Sequence, residues 1–349
     1  PPSLRVATSL GAGALQAELG RNGWRQDGEG EPEARRAVPG KSFPLPVVLG
    51  SIGSKPLIPG ATVRIQEPTS GQTRALEISQ VLAATDSRFA SKPLLIYLSQ
   101  AQDQSSNIRG VADLVTITDL QVDRDGCMTS VALSAVDRVE VGRVRMVNQT
   151  LMVSDQWHRL VDEIKTASYM HSLERLRELA DQASAEHNRR RQLMSSITAK
   201  TRELQLCDIE GSCDVQALQA LGPDVYRKAM ELSASSAPSD ASAEVSHVLW
   251  SLEDLTKKSV ERNRPWDELW PQFGDDVDDE LKTLRHISFT AWRTLETTLS
   301  RDDLLAIISS TDPVKRLEKA NERLARHRQE LEEVERVLMT LQTEVAKGQ

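Results

Sequence analysis

The stretch "RGVADLVTITDLQVDRDGCMTSVALSAVDRVEVGRV", Arg109 to Val144, decides the fold. Val115 and Ile117 alternate with polar residues in its first half, as Val131 and Leu133 and then Val139 and Val141 do in its second. A period of two sends successive side chains to opposite faces, so each half reads as a strand. Between the halves stands Asp123-Arg124-Asp125-Gly126, whose Asp-Gly pair tolerates the left-handed backbone of a tight hairpin turn.

The same period reaches upstream to Val63-Arg64-Ile65 and to the buried run Leu94-Leu95-Ile96-Tyr97-Leu98, and downstream to Val144 and Met146. One helix interrupts it around Thr73 to Ala84, where Leu76, Val81 and Leu82 share a helical face. Residues 43–153 therefore form a β-rich domain. Ahead of Val63, "GSIGSKPLIPG" (Gly50 to Gly60) places two glycines and a lysine after an apolar run, as a phosphate loop does. That loop needs a lysine directly after its second glycine and a helix next. Ser54 intervenes here, and Pro56 and Pro59 forbid the helix, so the segment reads as a turn between strands.

Residues 1–42 are glycine-rich and read as an extended arm with Trp24 as its anchor. From Ser154-Asp155 the spacing becomes helical, with Asp155 as N-cap and Trp157, Leu160, Val161 and Ile164 on one face; this helical segment, 154–232, ends at the Ser-Ala linker 233–245. A helical domain, 246–349, follows. In its last helix Leu317, Leu324, Leu331, Leu338 and Val345 repeat every seven residues, with Ala320, His327, Val334 and Leu341 as the companion series. This is the seam of a coiled coil or helical hairpin. The simplest partner is the segment Asp155 to Leu206, antiparallel to it; a seam shared with another protein is the alternative. His327 at a core position suggests either a pH-sensitive switch or a histidine hydrogen-bonded at the seam edge.

Of 43 Lys and Arg and 51 Asp and Glu, residues 1–154 hold 16 and 15, leaving 27 and 36 for 155–349. The acidity lies in the second half, which argues against wrapping nucleic acid. No apolar run approaches the ~20 residues that span a bilayer. The chain opens at Pro1-Pro2, as a trimmed chain or one freed of a targeting peptide would. Cys127, Cys207 and Cys213 fit a reducing compartment, and no nearby histidine completes a zinc set around the last two, which leaves a Cys207–Cys213 bridge open. No G-x-S-x-G elbow or G-x-G-x-x-G turn occurs, and the acidic run Asp275 to Glu280 lacks the central glycine of a calcium loop and reads as a solvated helix start. Neither cofactor nor metal is expected.

The succession "FPLPVVL", Pro59-Gly60, Glu67-Pro68, a helix ending in "DSRFA", "PLLIYL", Gly110 and the Asp125-Gly126 hairpin resembles the N-terminal substrate-binding domain of Lon-type proteases over Phe43 to Met152. The resemblance implies an α+β fold: a PUA-like β-barrel followed by an α-helical bundle with a long C-terminal coiled-coil helix. The block from Leu249-Trp250 through "LRHISFTAWRTL" to the heptads also resembles plant plastid proteins that pair such a domain with a helical tail and no protease. These likenesses imply a non-catalytic protein-binding or scaffolding protein of an organelle, in the plastid stroma or peripheral to a membrane complex. It would dock on a larger protein assembly, with Trp24, Leu317, Leu324, Leu331, Leu338 and Leu341 as candidate partner-binding residues. The alternative is a substrate-receptor domain or fragment of an ATP-dependent Lon-type protease.

Overall fold

The computed structural model describes residues 44–85, 92–100, 110–142, 144–153, 157–162, 169–209, 227, 250–269 and 279–348. Trp24, the linker 233–245 and Cys213 lie outside them. The chain divides into two compact units: one runs through Val161 and adds Asn263–Gln272 and Ser300–Ser309, and the other comprises Asp162–Arg262, Phe273–Leu299 and Ser310–Gln349. The partition places residues of the 246–349 block in both units. Trp266 shows why, since its indole packs in the hydrophobic core of the sheet unit, far from it in sequence.

In the first unit, β4 (Gly110–Val122) and β5 (Met128–Val141) pair antiparallel around the predicted turn. Gly126 sits at φ 83°, and the Asp123 carboxylate accepts from the backbone N–H groups of Asp125 and Cys127 at 2.9 and 2.8 Å. With β1 (Leu45–Ile52), β2 (Thr62–Gln66), β3 (Leu94–Gln100), β6 (Val144–Val147) and β7 (Thr150–Val153), these strands form a sheet of order β2-β5-β4-β3-β1-β7-β6. Helix α1 (Ser70–Thr85) buries Ala75, Leu76, Ile78 and Ala83. The order is open. Among the described residues β2 meets only β5, and β6 meets only β7 across a two-residue turn, so the expected closed barrel is not formed.

Two apolar clusters flank the sheet. Leu94, Ile96 and Leu98 enter one with Val47, Leu114, Val139 and Trp157; Leu95 and Tyr97 enter the other with Val48, Leu76, Val115 and Leu133. Burial on both faces explains why Leu94 to Leu98 is continuously apolar. Trp157–Arg159 is a strand, β8, rather than a helix start: it pairs with Val139–Val141, with Trp157 and Arg159 buried and His158 exposed. Its apolar residues fit helical spacing too, and the pairing with β5 decides between them.

Gly50 and Ser51 belong to β1, and the expected turn begins at Gly53. A side chain on Gly50 would run into Ser54 and, 2.5 Å away, the Tyr97 hydroxyl. Burial raises the Tyr97 pKa, against a hydrogen bond with Ser54 that lowers it. Asp113 accepts from the Leu57 N–H at 2.8 Å, and Gly60, at φ 89°, donates to the Ala135 carbonyl at 2.7 Å. From Pro56 to Gly60 the loop is thus a buried strap.

In the second unit, helix α2 (Tyr169–Ile209) lies along α6 (Pro313–Gly348), with α4 (Asp279–Arg293) beside them; α3 (Leu252–Leu269) is divided between the units and α5 (Arg301–Ser309) belongs to the first. Arg175 pairs with Glu318 at 3.2 Å, Glu186 with Arg328 at 2.7 Å, Lys200 with Glu335 at 2.6 Å and Glu203 with Gln342 at 2.6 Å. Partner numbers rise together, so the helices run parallel. The antiparallel expectation is overturned because a short loop alone imposes antiparallel packing, and the long chain between Ile209 and Pro313 returns to the starting end.

Candidate functional site

The open end of the sheet is built by register. Val63 and Ile117 both face Leu133, Ile65 and Leu120 both face Val131, and Val122 faces Met128. Directly paired residues of an antiparallel ladder share a face, so these form three apolar rows across β2, β5 and β4. Leu133 and Val131 are buried, whereas Val63, Ile65, Ile117, Leu120 and Met128 are half-buried and Val122 is 43% exposed. The rows thus grade from core to solvent and form an apolar strip.

The opposite face is polar. Arg64 and Asp119 both flank Ala132 in register, and their side chains pair across it at 2.8 Å. Arg64 also donates to Ser130 at 2.9 Å, and Ser130 to Gln121 at 3.2 Å. A bulge at Thr118, between Ile117 and Asp119, keeps this alternation in phase on β4. Strand β2 ends at Gln66, and Glu67 after it is held at φ 48° before Pro68 with its N–H donating to the Thr129 carbonyl.

The seam leucines occupy a different setting. Leu317, Leu324, Leu331, Leu338 and Leu341 are all buried, the last three in one cluster with Ile197 and Leu204 of α2. Leu173, Leu176, Ala180, Ala183, Ile197 and Leu204 give α2 a seven-residue repeat of its own, which offers the complementary face within the chain. These leucines are therefore covered within the chain in this fold. The α2 repeat was the signal that would have shown it, and His187 and Arg190 in its middle obscure it. Arg190, whose pKa burial lowers to about 10, donates to the His327 ring at 3.0 Å and to Thr294 at 3.2 Å. His327 is the hydrogen-bonded seam histidine of the two readings given above.

Two further clusters invite a chemical reading. Lys200 donates to Ser196 and to Glu335, each at 2.6 Å, and hydrogen bonds from Lys200 and Ser196 hold the Glu335 carboxyl below its usual range. This ties the two helices together. Glu280, at the start of α4, is likewise held low by its hydrogen bonds from Arg177, while Asp275 to Asp278 lie outside the described residues. Cys127 is free and exposed, and the described residues do not settle the Cys207–Cys213 pairing. Among the described residues no group of His, Cys, Asp or Glu is placed to hold a metal ion, and no helix is long and apolar enough to cross a membrane.

No protein-family model matches the chain, and no curated protein matches it. Among solved structures it is similar to the N terminal domain of Mycobacterium avium complex Lon protease, at 12% identity and a TM-score of 0.33 over 82% of this chain and 100% of that one. It is also similar to a Lon N-terminal domain protein from Xanthomonas campestris, at 19% identity and a TM-score of 0.25 over 37% of this chain and 69% of that one. Both are Lon N-terminal domains, the class that Phe43 to Met152 resembles in sequence. What the open sheet end can bind follows from its own side chains.

Proposed function

We propose that this chain is a non-catalytic protein-binding module whose apolar strip receives exposed apolar segments of partner polypeptides. One observation carries the reading: three rows of apolar side chains end half-buried at β2 and β4, and β2 among the described residues pairs on one side only. Apolar surface left beside an open sheet edge is a recurring setting for peptide capture, and the polar reverse face keeps that edge in one orientation. The helix pair, which we read as a parallel coiled coil from the matched repeats on α2 and α6, gives the second unit a stiff rod whose outer charged faces suit docking on a larger assembly. An organelle, the plastid foremost, is the proposed setting, on the resemblance of the C-terminal block to plastid proteins.

The test is binding of a permanently unfolded protein, fluorescein-labelled reduced and carboxymethylated lactalbumin, followed by anisotropy. The wild-type chain should bind it. Ile65→Asp and Leu120→Asp should each weaken binding at least tenfold, because a charge replaces a contact on the strip. Arg177→Ala, on the helical unit, should not alter it. Equal binding by wild type and both strip variants, with circular dichroism unchanged, sinks the proposal.

A further inference from the structure

We infer that the partner segment joins the sheet as an added strand on β2, and that the site selects segments in which apolar residues alternate with acidic or hydroxyl residues. This rests on the protein-binding reading above and names the class of segment the strip accepts.

The ladder phase decides which backbone groups of β2 face outward. Glu67 donates its N–H to the Thr129 carbonyl, and the Ala135 N–H donates to the Ala61 carbonyl. Both bonds join pairs of the same parity as Val63 with Leu133 and Ile65 with Val131. In an antiparallel ladder hydrogen-bonded pairs alternate with non-bonded ones, so Val63 and Ile65 turn their N–H and C=O groups toward β5. Those of Arg64 and Gln66 therefore point to the open side. No described strand takes them up. Thr118 gives independent support, since its hydroxyl donates to the Ala132 carbonyl, which places the Ala132 backbone toward β4 and away from Arg64.

The same phase fixes the chemistry of the occupant. A residue of the added strand that exchanges backbone hydrogen bonds with Arg64 shares its polar face. There it meets a guanidinium that is 43% exposed and has given two of its five N–H groups to Ser130 and Asp119. An acceptor complements that group: a carboxylate, or the hydroxyl of Ser or Thr. The residues on either side of this acceptor fall on the other face, beside Val63 and Ile65, and extend the apolar rows by one strand. The motif is apolar–acceptor–apolar in extended conformation. A helix presents its apolar residues at three- and four-residue steps and cannot match this period.

The experiment compares two labelled nonapeptides of identical composition by anisotropy, one alternating Val or Ile with Glu or Thr, the other with the same residues in two blocks. The alternating peptide should bind at least tenfold more tightly. N-methylation of the amides that face β2 should lower its affinity at least tenfold, and N-methylation of the alternate amides should leave it unchanged. Replacing Glu by Lys opposite Arg64 should weaken binding, and Arg64→Ala should abolish that discrimination. Arg64→Pro removes an outward N–H without touching a ladder bond and should lose the alternating peptide while keeping the wild-type circular dichroism. If that variant misfolds, the N-methyl series decides alone. Equal affinity for both peptides, or indifference to N-methylation, overturns strand addition and leaves apolar binding standing. Failure of the wild-type chain to bind either peptide or the unfolded protein overturns both.

Discussion

Lowering the pH from 7 to 4 should weaken the second unit through His187. Its ring is buried in α2, with Nε2 2.8 Å from the Trp250 carbonyl and Nδ1 without a hydrogen-bond partner among the described residues. A neutral imidazole meets this geometry by donating its Nε2–H. Burial is the main cause that lowers its pKa to about 4, Arg190 and Arg191 push the same way, and the bond to Trp250 opposes them. An unfolded chain takes up a proton near pH 6.5 and the folded one only near 4. Between those values the unfolded state binds more protons, so stability falls as the pH falls through that window and levels off below it. A shift of this size corresponds to about 3 kcal/mol. His187→Gln keeps a donor for Trp250 and removes the titration. Urea unfolding followed by circular dichroism at pH 7, 6, 5 and 4 should show the wild type losing about 3 kcal/mol more than the variant. In parallel, the ring-proton signal that disappears in the variant, out of six histidines, should titrate near 4 in the native protein. A native His187 signal titrating near 6.5, or parallel stability curves for the two proteins, would refute the reasoning.

Two stability effects belong to the sheet unit. Gly50→Ala should cost about 1–3 kcal/mol in thermal or urea unfolding, because its methyl group meets Ser54 and Tyr97 inside the strap; adding Tyr97→Phe should make the pair cost less than the sum of the single changes. Gln149→Gly should stabilise by about 1 kcal/mol, because Asn148 and Gln149 close the β6–β7 turn at φ 46° and 66° and the second of these suits glycine best; an unchanged or lower melting temperature would show that the turn carries no such strain.

The strands of the sheet were legible wherever the alternation was sustained, as from Gly110 to Val141, and the turn at Asp125-Gly126 was legible from chemistry local to four residues. Trp157 to Arg159 was not. Its buried–exposed–buried order spans three residues, and Leu160 and Val161 extend an equally good helical spacing. Only the pairing of Val141 with Trp157, between segments that the β6–β7 hairpin brings together, separates the two. The heptads of the last helix announced a partner and could not give its direction, because an apolar stripe has no polarity along the axis. Direction is read from polar pairs such as Arg175–Glu318 and Glu203–Gln342, which a repeat of leucines does not encode.

The site shows the same division between local pattern and register. That Val63 and Ile65 share a face, and that Ile117 lies on an alternating strand, follows from period two alone. That Val63 and Ile117 lie in one row does not, because it depends on both finding Leu133, and on Thr118 being extruded so that Leu120 returns to the same side as Ile117. Without that bulge Asp119 would turn to the face of Ile117 and Leu120 to the reverse face, and the strip would end one row earlier. Nor can alternation distinguish a face that is covered from one that is open: Val131 and Leu133 are buried while their neighbours in the same rows are not. The difference lies in where the sheet stops. Among the described residues β2, five residues long, has a partner on one side only, and it is this placement at the end of the sheet, rather than its alternation, on which the proposed binding of another chain rests.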